Sequence, residues 1–475
     1  MNRRYTEQIA RSLLAEEGPG GTVDDILAWV RQRNAEVTVR VQPAPFRELR
    51  EWRFDPVTSN LRHETGKFFS IDGLHVTVDA VVQQEWWQPI INQPEVGYLG
   101  ILAREIDGVL CFLLQAKIEP GNVNNVQLSP TLQATRSNYT QVHKGRRPQY
   151  LELFQAARQE QVILDQLQSE QGARFYRKRN RNIVLHAPAE VPAHVDFRWV
   201  TLGQIKRLLT YDNVVNMDTR TVVSGLSCAG HFDGMSPAKV ERWLDAHRVS
   251  EWGRALFRSD LARDGHETLD DLISWLTRLK STYDLQAERI PLRDVRDWQI
   301  GADEIARPDR RFFRVLGVQV DIETREVRTW SQPMVQTMQQ GISVLVARRI
   351  QGLLHFLVQA KIECGNLDVV ELAPTVQCLT GNYRDPGPVP PAFLADVLAR
   401  RGMRVIHDTL QSEEGGRFYR EQNRYQILLA DDDFAAETLP PNYAWMTLGQ
   451  IREFLRFNNY LNIQARSLLS ALDYR

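Results

Sequence analysis

The sequence predicts a mixed α/β protein of the α+β kind, built twice over, and three observations carry that reading. QAKIEPGN at Gln115–Asn122 returns as QAKIECGN at Gln359–Asn366, 244 residues further on. Apolar, strand-like runs and capped, helix-periodic segments follow one another in the same order in each copy. Finally, 475 residues, of which 43% are hydrophobic and 25% charged, suffice for roughly two to four domains with real cores and exclude a disordered or fibrous chain.

The repeat runs well beyond its first match. TVDDILAWV from Thr22 pairs with TLDDLISWL from Thr268, LSPTLQ with LAPTVQ, Asn138-Tyr139 with Asn382-Tyr383, DQLQSEQGARFYR with DTLQSEEGGRFYR, and WVTLGQI with WMTLGQI. A period this long makes each copy a domain rather than one turn of a solenoid. Repeats over 1–230 and 231–475 follow, joined where Gly, Ser and Pro cluster between Gly225 and Ala238.

Within a copy, Thr22 and Thr268 are good N-caps for helices whose apolar positions, such as Ile26 and Val30 or Leu272 and Leu276, fall at helical spacing. Strands are predicted next, in KFFSIDGLHVTV, GYLGILAREI and GVLCFLLQAKIE and in their counterparts RFFRVLGVQVDI, GISVLVARRI and GLLHFLVQAKIE. A helical segment before DQLQSEQG or DTLQSEEG leads into another strand, NIVLHA or YQILLA, and TLGQI opens a closing helix. Trp29 and Trp275, on the capped helices, are predicted core residues.

A net charge of −1 gives no global field for a phosphate backbone or an anionic membrane, so neither nucleic acid nor membrane is an expected partner. The four cysteines, Cys111, Cys228, Cys364 and Cys378, lack CxxC spacing and suit a reducing cytoplasm. The N-terminal residues do not read as a signal peptide, and the longest apolar runs fall short of the roughly 18 residues a membrane span needs. No metal-binding spacing, dinucleotide fingerprint, phosphate loop or nucleophile elbow is present.

Candidate chemistry concentrates in the repeated motifs. Strand alternation puts Gln115, Lys117 and Glu119 on one face, and Gln359, Lys361 and Glu363 on one face of the second copy. Such a trio supplies a proton acceptor, a cation for a developing oxyanion and an orienting hydrogen bond, although an ion pair that merely holds the strand end explains the same pattern. Arg174, Tyr176 and Arg177, and their counterparts Arg417, Tyr419 and Arg420, could hold a diphosphate; a solvated charged face is the alternative. Trp52 and Trp298 are candidates for stacking on a nucleobase. The loops at Thr135, Arg136, Ser137 and Asn138, and at Thr380, Gly381 and Asn382, are candidates for phosphate or sugar recognition, with turn formation the competing explanation.

QAKIE-x-GN, L-[SA]-P-T-x-Q, the following NY, LQSE-x-G-x-RFYR and W-x-TLGQI together resemble the duplicated signature of the NDP-hexose 2,3-dehydratases, including the type found in glycopeptide-antibiotic sugar pathways. The resemblance spans nearly the whole chain. It implies two Nudix-like modules and a homodimer. The implied activity is that of a cofactor-independent lyase, removing the C2 hydroxyl of dTDP-4-keto-6-deoxyglucose. An NADPH-dependent 3-ketoreductase would follow it in deoxysugar biosynthesis. Aligning the Nudix box on Gly172 leaves Glu170 as the acidic position retained in that stretch, and Glu413 in the second copy, so no metal site is expected. For the implied elimination, Glu119 or Glu363 is expected as base and Lys117 or Lys361 as electrostatic stabiliser, with Tyr139, Tyr383, Tyr176 or Tyr419 as proton donor. A non-catalytic protein that binds nucleotide sugars through degenerate modules is the alternative.

Overall fold

Each capped helix forms where its sequence predicts. In the computed structural model, which describes residues 3–135, 147–192, 194–323, 327–383, 388–432, 434 and 439–475, the helices run over Val23–Ala35 and Leu269–Thr282. Thr22 Oγ1 accepts from Asp25 N–H at 3.3 Å while the Asp25 carboxylate takes the Thr22 N–H at 2.8 Å, and Thr268 with Asp271 repeats this box. Each box satisfies two otherwise orphaned donors, worth about 1 kcal/mol. Trp29 and Trp275 are buried as predicted, and their indole N–H groups donate to the carbonyls of Val195 and Pro441.

Every predicted strand is also present. In the first repeat the order across the main sheet is Val162–Ser169, Arg179–His186, Gly97–Ile106, Val109–Ile118 and Phe197–Thr201, with short strands Val126–Ser129 and Leu132–Ala134 paired alongside. Arg179–His186 runs parallel to Gly97–Ile106 and the other pairs are antiparallel. The second repeat builds the same sheet from Met403–Ser412, Gln422–Ala430, Gly341–Ile350, Leu353–Lys361 and Tyr443–Met446. The duplicated mixed fold is therefore as the sequence implies. DQLQS, aligned above with the Nudix box, is an extended strand end whose ladder with Arg179–Ile183 is continuous.

The sequence halves do not separate in space. Each repeat has a second, smaller sheet, and each smaller sheet takes one strand from the other repeat. Val39–Ala44 pairs antiparallel with Phe313–Ile322, from Val39 opposite Ile322 to Ala44 opposite Gly317. Reciprocally, Asp284–Ile290 pairs with Ser70–Asp79. A boundary at 230/231 thus cuts the chain but not the fold. At the centre, helices Met217–Ser224 and Ile463–Ser470 pack together. Arg220 Nε donates to Ser467 Oγ and Arg466 Nε to Thr221 Oγ1, both at 2.7 Å, and each guanidinium also reaches a carbonyl of the opposite repeat, Ser412 or Ser169. Both arginines are 1% exposed, so their hydrogen bonds are what makes burial of two cations tolerable.

Candidate active site

The exchange brings the repeated motifs together in crossed pairs. The glycine of QAKIEPGN, Gly121, donates its N–H to the carbonyl of Gly415 at 2.7 Å, and its own carbonyl takes the N–H of Arg420 at 2.8 Å. Gly365 does the same with Gly172 and Arg177, at the same two distances. Contact is close enough that a Cβ on Gly121 would overlap the Phe418 carbonyl oxygen, and one on Gly365 that of Phe175. Glycine is required at both places by this approach of two backbones. Each candidate site therefore consists of the QAKIE loop of one repeat and the RFYR loop of the other.

In the first site Lys117 and Glu119 are buried with Nζ and Oε1 4.0 Å apart, and Gln133 Nε2 donates to the same Glu119 oxygen at 2.8 Å. Asn216, which caps the helix Met217–Ser224, donates to Gln133 Oε1 at 3.3 Å and so fixes which way that amide faces. The second site repeats the relay: Asn462 donates to Gln377 Oε1 at 2.7 Å, and Gln377 to Glu363 Oε1 at 2.9 Å. Lys361 is half-buried, and Glu363, 6% exposed, keeps Oε2 without a hydrogen-bond partner. Burial raises the Glu363 carboxyl above its usual range against the opposing pull of Lys361. A buried carboxylate held by an orienting amide beside a lysine, as both glutamates are, is the arrangement a carbon acid needs in its base.

The arginines are crossed in the same way. Arg417 lies 4.1 Å from the centre of the Phe69 ring and is charge-coupled to Glu119 and Glu414. Arg174 lies 4.2 Å from the Phe313 ring and is coupled to Glu363 and Glu421. Each Nε is buried without a partner. Arg177 and Arg420 have positive φ, 50° and 49°, and lie against the rings of Tyr176 and Tyr419. The Tyr176 hydroxyl reaches the Ala287 carbonyl on the exchanged strand at 3.5 Å, and Tyr419 is buried in the main core.

The remaining candidates spread out. Trp52 is 3% exposed, packed among Phe69, Leu61 and Val335, with its indole N–H on the Ser331 carbonyl; it has no free face for a nucleobase. Bulk and the neighbouring apolar cluster outweigh the charged sequence around it. Trp298 is half-buried, donates to the Trp87 carbonyl and packs on Phe313, the ring beside Arg174. Thr380, Gly381, Asn382 and Tyr383 form one helical turn; Asn382 Oδ1 accepts from Phe312 N–H and Gln339, which is a turn-fixing role. Thr380 and Gly381 line a cavity of about 360 Å³ with Arg400, Arg424 and Gln426. Tyr383 packs beside an apolar cluster, and burial pushes its phenol up to about 12. Thr135, half-buried, follows the strand that ends at Ala134, whereas Arg136, Ser137, Asn138 and Tyr139 lie outside the described residues.

Sequence reasoning missed Gln133, Gln377, Asn216, Asn462, Asp218 and Glu414. The first two stand in the LSPTLQ and LAPTVQ motifs, whose repetition was a usable signal. Among the described residues no group of three or more His, Cys, Asp or Glu is arranged to hold a metal ion, and no helix is long and apolar enough to cross a membrane.

The sequence pattern of the NDP-hexose 2,3-dehydratase family matches residues 23–226 and again 269–472. Three relatives are each described as a dTDP-4-dehydro-6-deoxy-alpha-D-glucopyranose 2,3-dehydratase. The one from Saccharopolyspora spinosa is 46% identical over 94% of this chain and 90% of its own length. Those from Amycolatopsis orientalis and Streptomyces violaceoruber are 43% and 41% identical, over 99% and 94% of this chain and 94% and 96% of theirs. A crystal structure described as an ADP compounds hydrolase aligns with a TM-score of 0.22 at 17% identity, over 35% of this chain and 86% of that one. Two matches to one family pattern, in register with the two repeats, and relatives aligned over nearly the full length establish that this chain belongs to the NDP-hexose 2,3-dehydratase family.

Proposed function

We propose that the crossed sites carry out the dehydration of dTDP-4-keto-6-deoxyglucose as follows. The C4 ketone acidifies the C3 proton, and the C2 hydroxyl lies β to that ketone. A glutamate of the QAKIE motif, Glu119 or Glu363, takes the C3 proton. Its lysine, Lys117 or Lys361, stabilises the C4 oxyanion, and an acid protonates the departing C2 hydroxyl. The resulting enol tautomerises to a 3,4-diketone. Arg174 and Arg417, held on aromatic faces beside the two glutamates, are the proposed contacts to the diphosphate. The observation that carries the reading is the buried glutamate held by an orienting glutamine with a lysine alongside, present twice in a chain of this family.

The reaction makes an electrophilic, easily degraded diketone. It therefore calls for a nicotinamide-dependent reductase acting at C3, in an antibiotic-type deoxysugar pathway, working in the cytoplasm. The oligomer proposed is a homodimer of chains that each contain both repeats.

Mass spectrometry tests the chemistry. Chelator-treated protein is incubated with the substrate in deuterated water beside a trapping 3-ketoreductase. Loss of one water with deuterium at C2 is expected. Unchanged substrate that still binds tightly would replace the enzyme by a nucleotide-sugar-binding protein.

A further inference from the structure

The two crossed sites differ at several positions, and three of the differences fall beside the QAKIE glutamate; Lys178 and Glu421, which also differ, lie instead against Arg417 and Arg174. Beside Lys117 and Glu119 stand Glu414, Gly416 and Asp218; the repeat puts Gln171, Ala173 and Gln464 at the matching positions for Lys361 and Glu363. Two ionisable acids on one side thus answer to two amides on the other. Glutamine copies the shape of glutamate, but its NH2 donates where a carboxylate oxygen accepts, and it has no proton to release at neutral pH.

The geometry around Glu414 is that of a group facing its site. Glu414 Oε1 accepts the N–H of Gly416 at 3.1 Å, and Oε2 is buried without any hydrogen-bond partner. A methyl on Gly416 would overlap Glu414 Oε1 and stand 3.7 Å from Glu119 Oε1, so the missing side chain leaves room between the two carboxyls. In the other site Ala173 supplies that methyl. Gln171 there turns its amide away to Glu413 and the Met217 sulfur. Asp218 is 3% exposed and feels the charges of Glu119, Glu414 and Lys117. Asn122, against Gly415, has an unpartnered Oδ1 at the same place, a feature both sites share, since Asn366 has one against Gly172.

We propose that water is eliminated at the Glu119 site, and that Glu414, reaching in from the opposite repeat, is the acid that protonates the departing C2 hydroxyl. This rests on the dehydratase reading above. The Glu119 carboxylate removes the C3 proton; the C–H electron pair forms the C3–C4 enolate. As that pair moves to C2–C3, the C2–O bond breaks and its oxygen leaves as water with the Glu414 proton. The enol hydroxyl then returns a proton to the Glu414 carboxylate, while protonated Glu119, after exchanging its proton with solvent, gives one to C2, and both groups are restored. Burial, together with the charges of Glu119 and Glu170, lifts Glu414 to about 8, so it holds its proton at neutral pH.

An analogue carrying fluorine in place of the C2 hydroxyl separates acid from base, because fluoride departs without a proton. Full-length wild type, Glu414→Gln and Glu119→Gln are each assayed for water loss and for fluoride release. Glu414→Gln is expected to lose at least about 100-fold on the hydroxyl substrate and to release fluoride within about fivefold of wild type. Glu119→Gln is expected to lose both. The assignment of Glu414 is overturned if its variant loses neither activity or both equally. If Glu119→Gln keeps both, the site choice fails. Wild type that loses no water from the hydroxyl substrate sinks the dehydratase reading itself, whatever the variants do.

Discussion

Glu371 gives the sharpest test of how burial sets the energetics of this protein. It is 1% exposed, accepts the Ser169 hydroxyl at 2.7 Å, and leaves Oε1 without a partner. Burial pushes its carboxyl from 4.5 up to about 8, opposed by the Ser169 bond and by Arg466, reinforced by Glu363, and eased by Lys280. The folded protein therefore keeps a proton that the unfolded chain gives up above about pH 4.5, so this group lowers stability progressively as pH rises from there to about 8. Glu371→Gln removes that dependence. The first repeat already holds the outcome, since Gln127 stands at the matching position and donates to Ser412 Oγ at 2.7 Å. At about 1.4 kcal/mol per pH unit, the stability of the variant relative to wild type should rise by about 3 kcal/mol between pH 5 and pH 7.5. Urea unfolding of both proteins at the two pH values measures it. Any fixed packing effect of the substitution cancels in that comparison. A difference that is the same at both pH values, or larger at pH 5, would refute the account of Glu371 as a buried, protonated acid.

Two further substitutions probe the crossed architecture. Gly365→Ala drives a methyl into the Phe175 carbonyl and should disturb the bonds to Gly172 and Arg177; a loss of about 2 kcal/mol in urea unfolding, together with weakened substrate binding by calorimetry, is expected. Arg466→Ala removes bonds to Thr221, Leu461 and Ser169 at the centre and takes one of their neighbouring cations from Glu371 and Glu170. Destabilisation of about 3 kcal/mol or more is expected, again by urea unfolding, and a change below about 1 kcal/mol would remove the central arginine pair from the list of what joins the repeats.

Local signals were legible in the sequence because they are local. Thr22 with Asp25 announces a helix start, GVLCFLLQAKIE announces a strand, and a 244-residue offset announces a duplication. Trp52 was misread for a physical reason: flanking charges say nothing about a ring that the tertiary fold encloses between Phe69 and Val335. The strand exchange could not be read, since Val39–Ala44 fits the edge of either smaller sheet by its own pattern, and its pairing with Ile322–Gly317 is decided by where the repeats dock.

The exchange also explains why the site escapes inspection of one repeat at a time. Gln171 and Glu414 occupy the same place in their motif, yet each belongs chemically to the other repeat's glutamate, Glu363 or Glu119. Because every site is half one repeat and half the other, a change in one loop alters the partner's chemistry and leaves its own untouched. Two mixed sites can then diverge while the symmetric scaffold of buried arginines, glycine contacts and asparagine caps stays common to both. What distinguishes them beside the QAKIE glutamate is the acid–amide pairs Glu414 with Gln171 and Asp218 with Gln464, and the methyl of Ala173 where Gly416 has none.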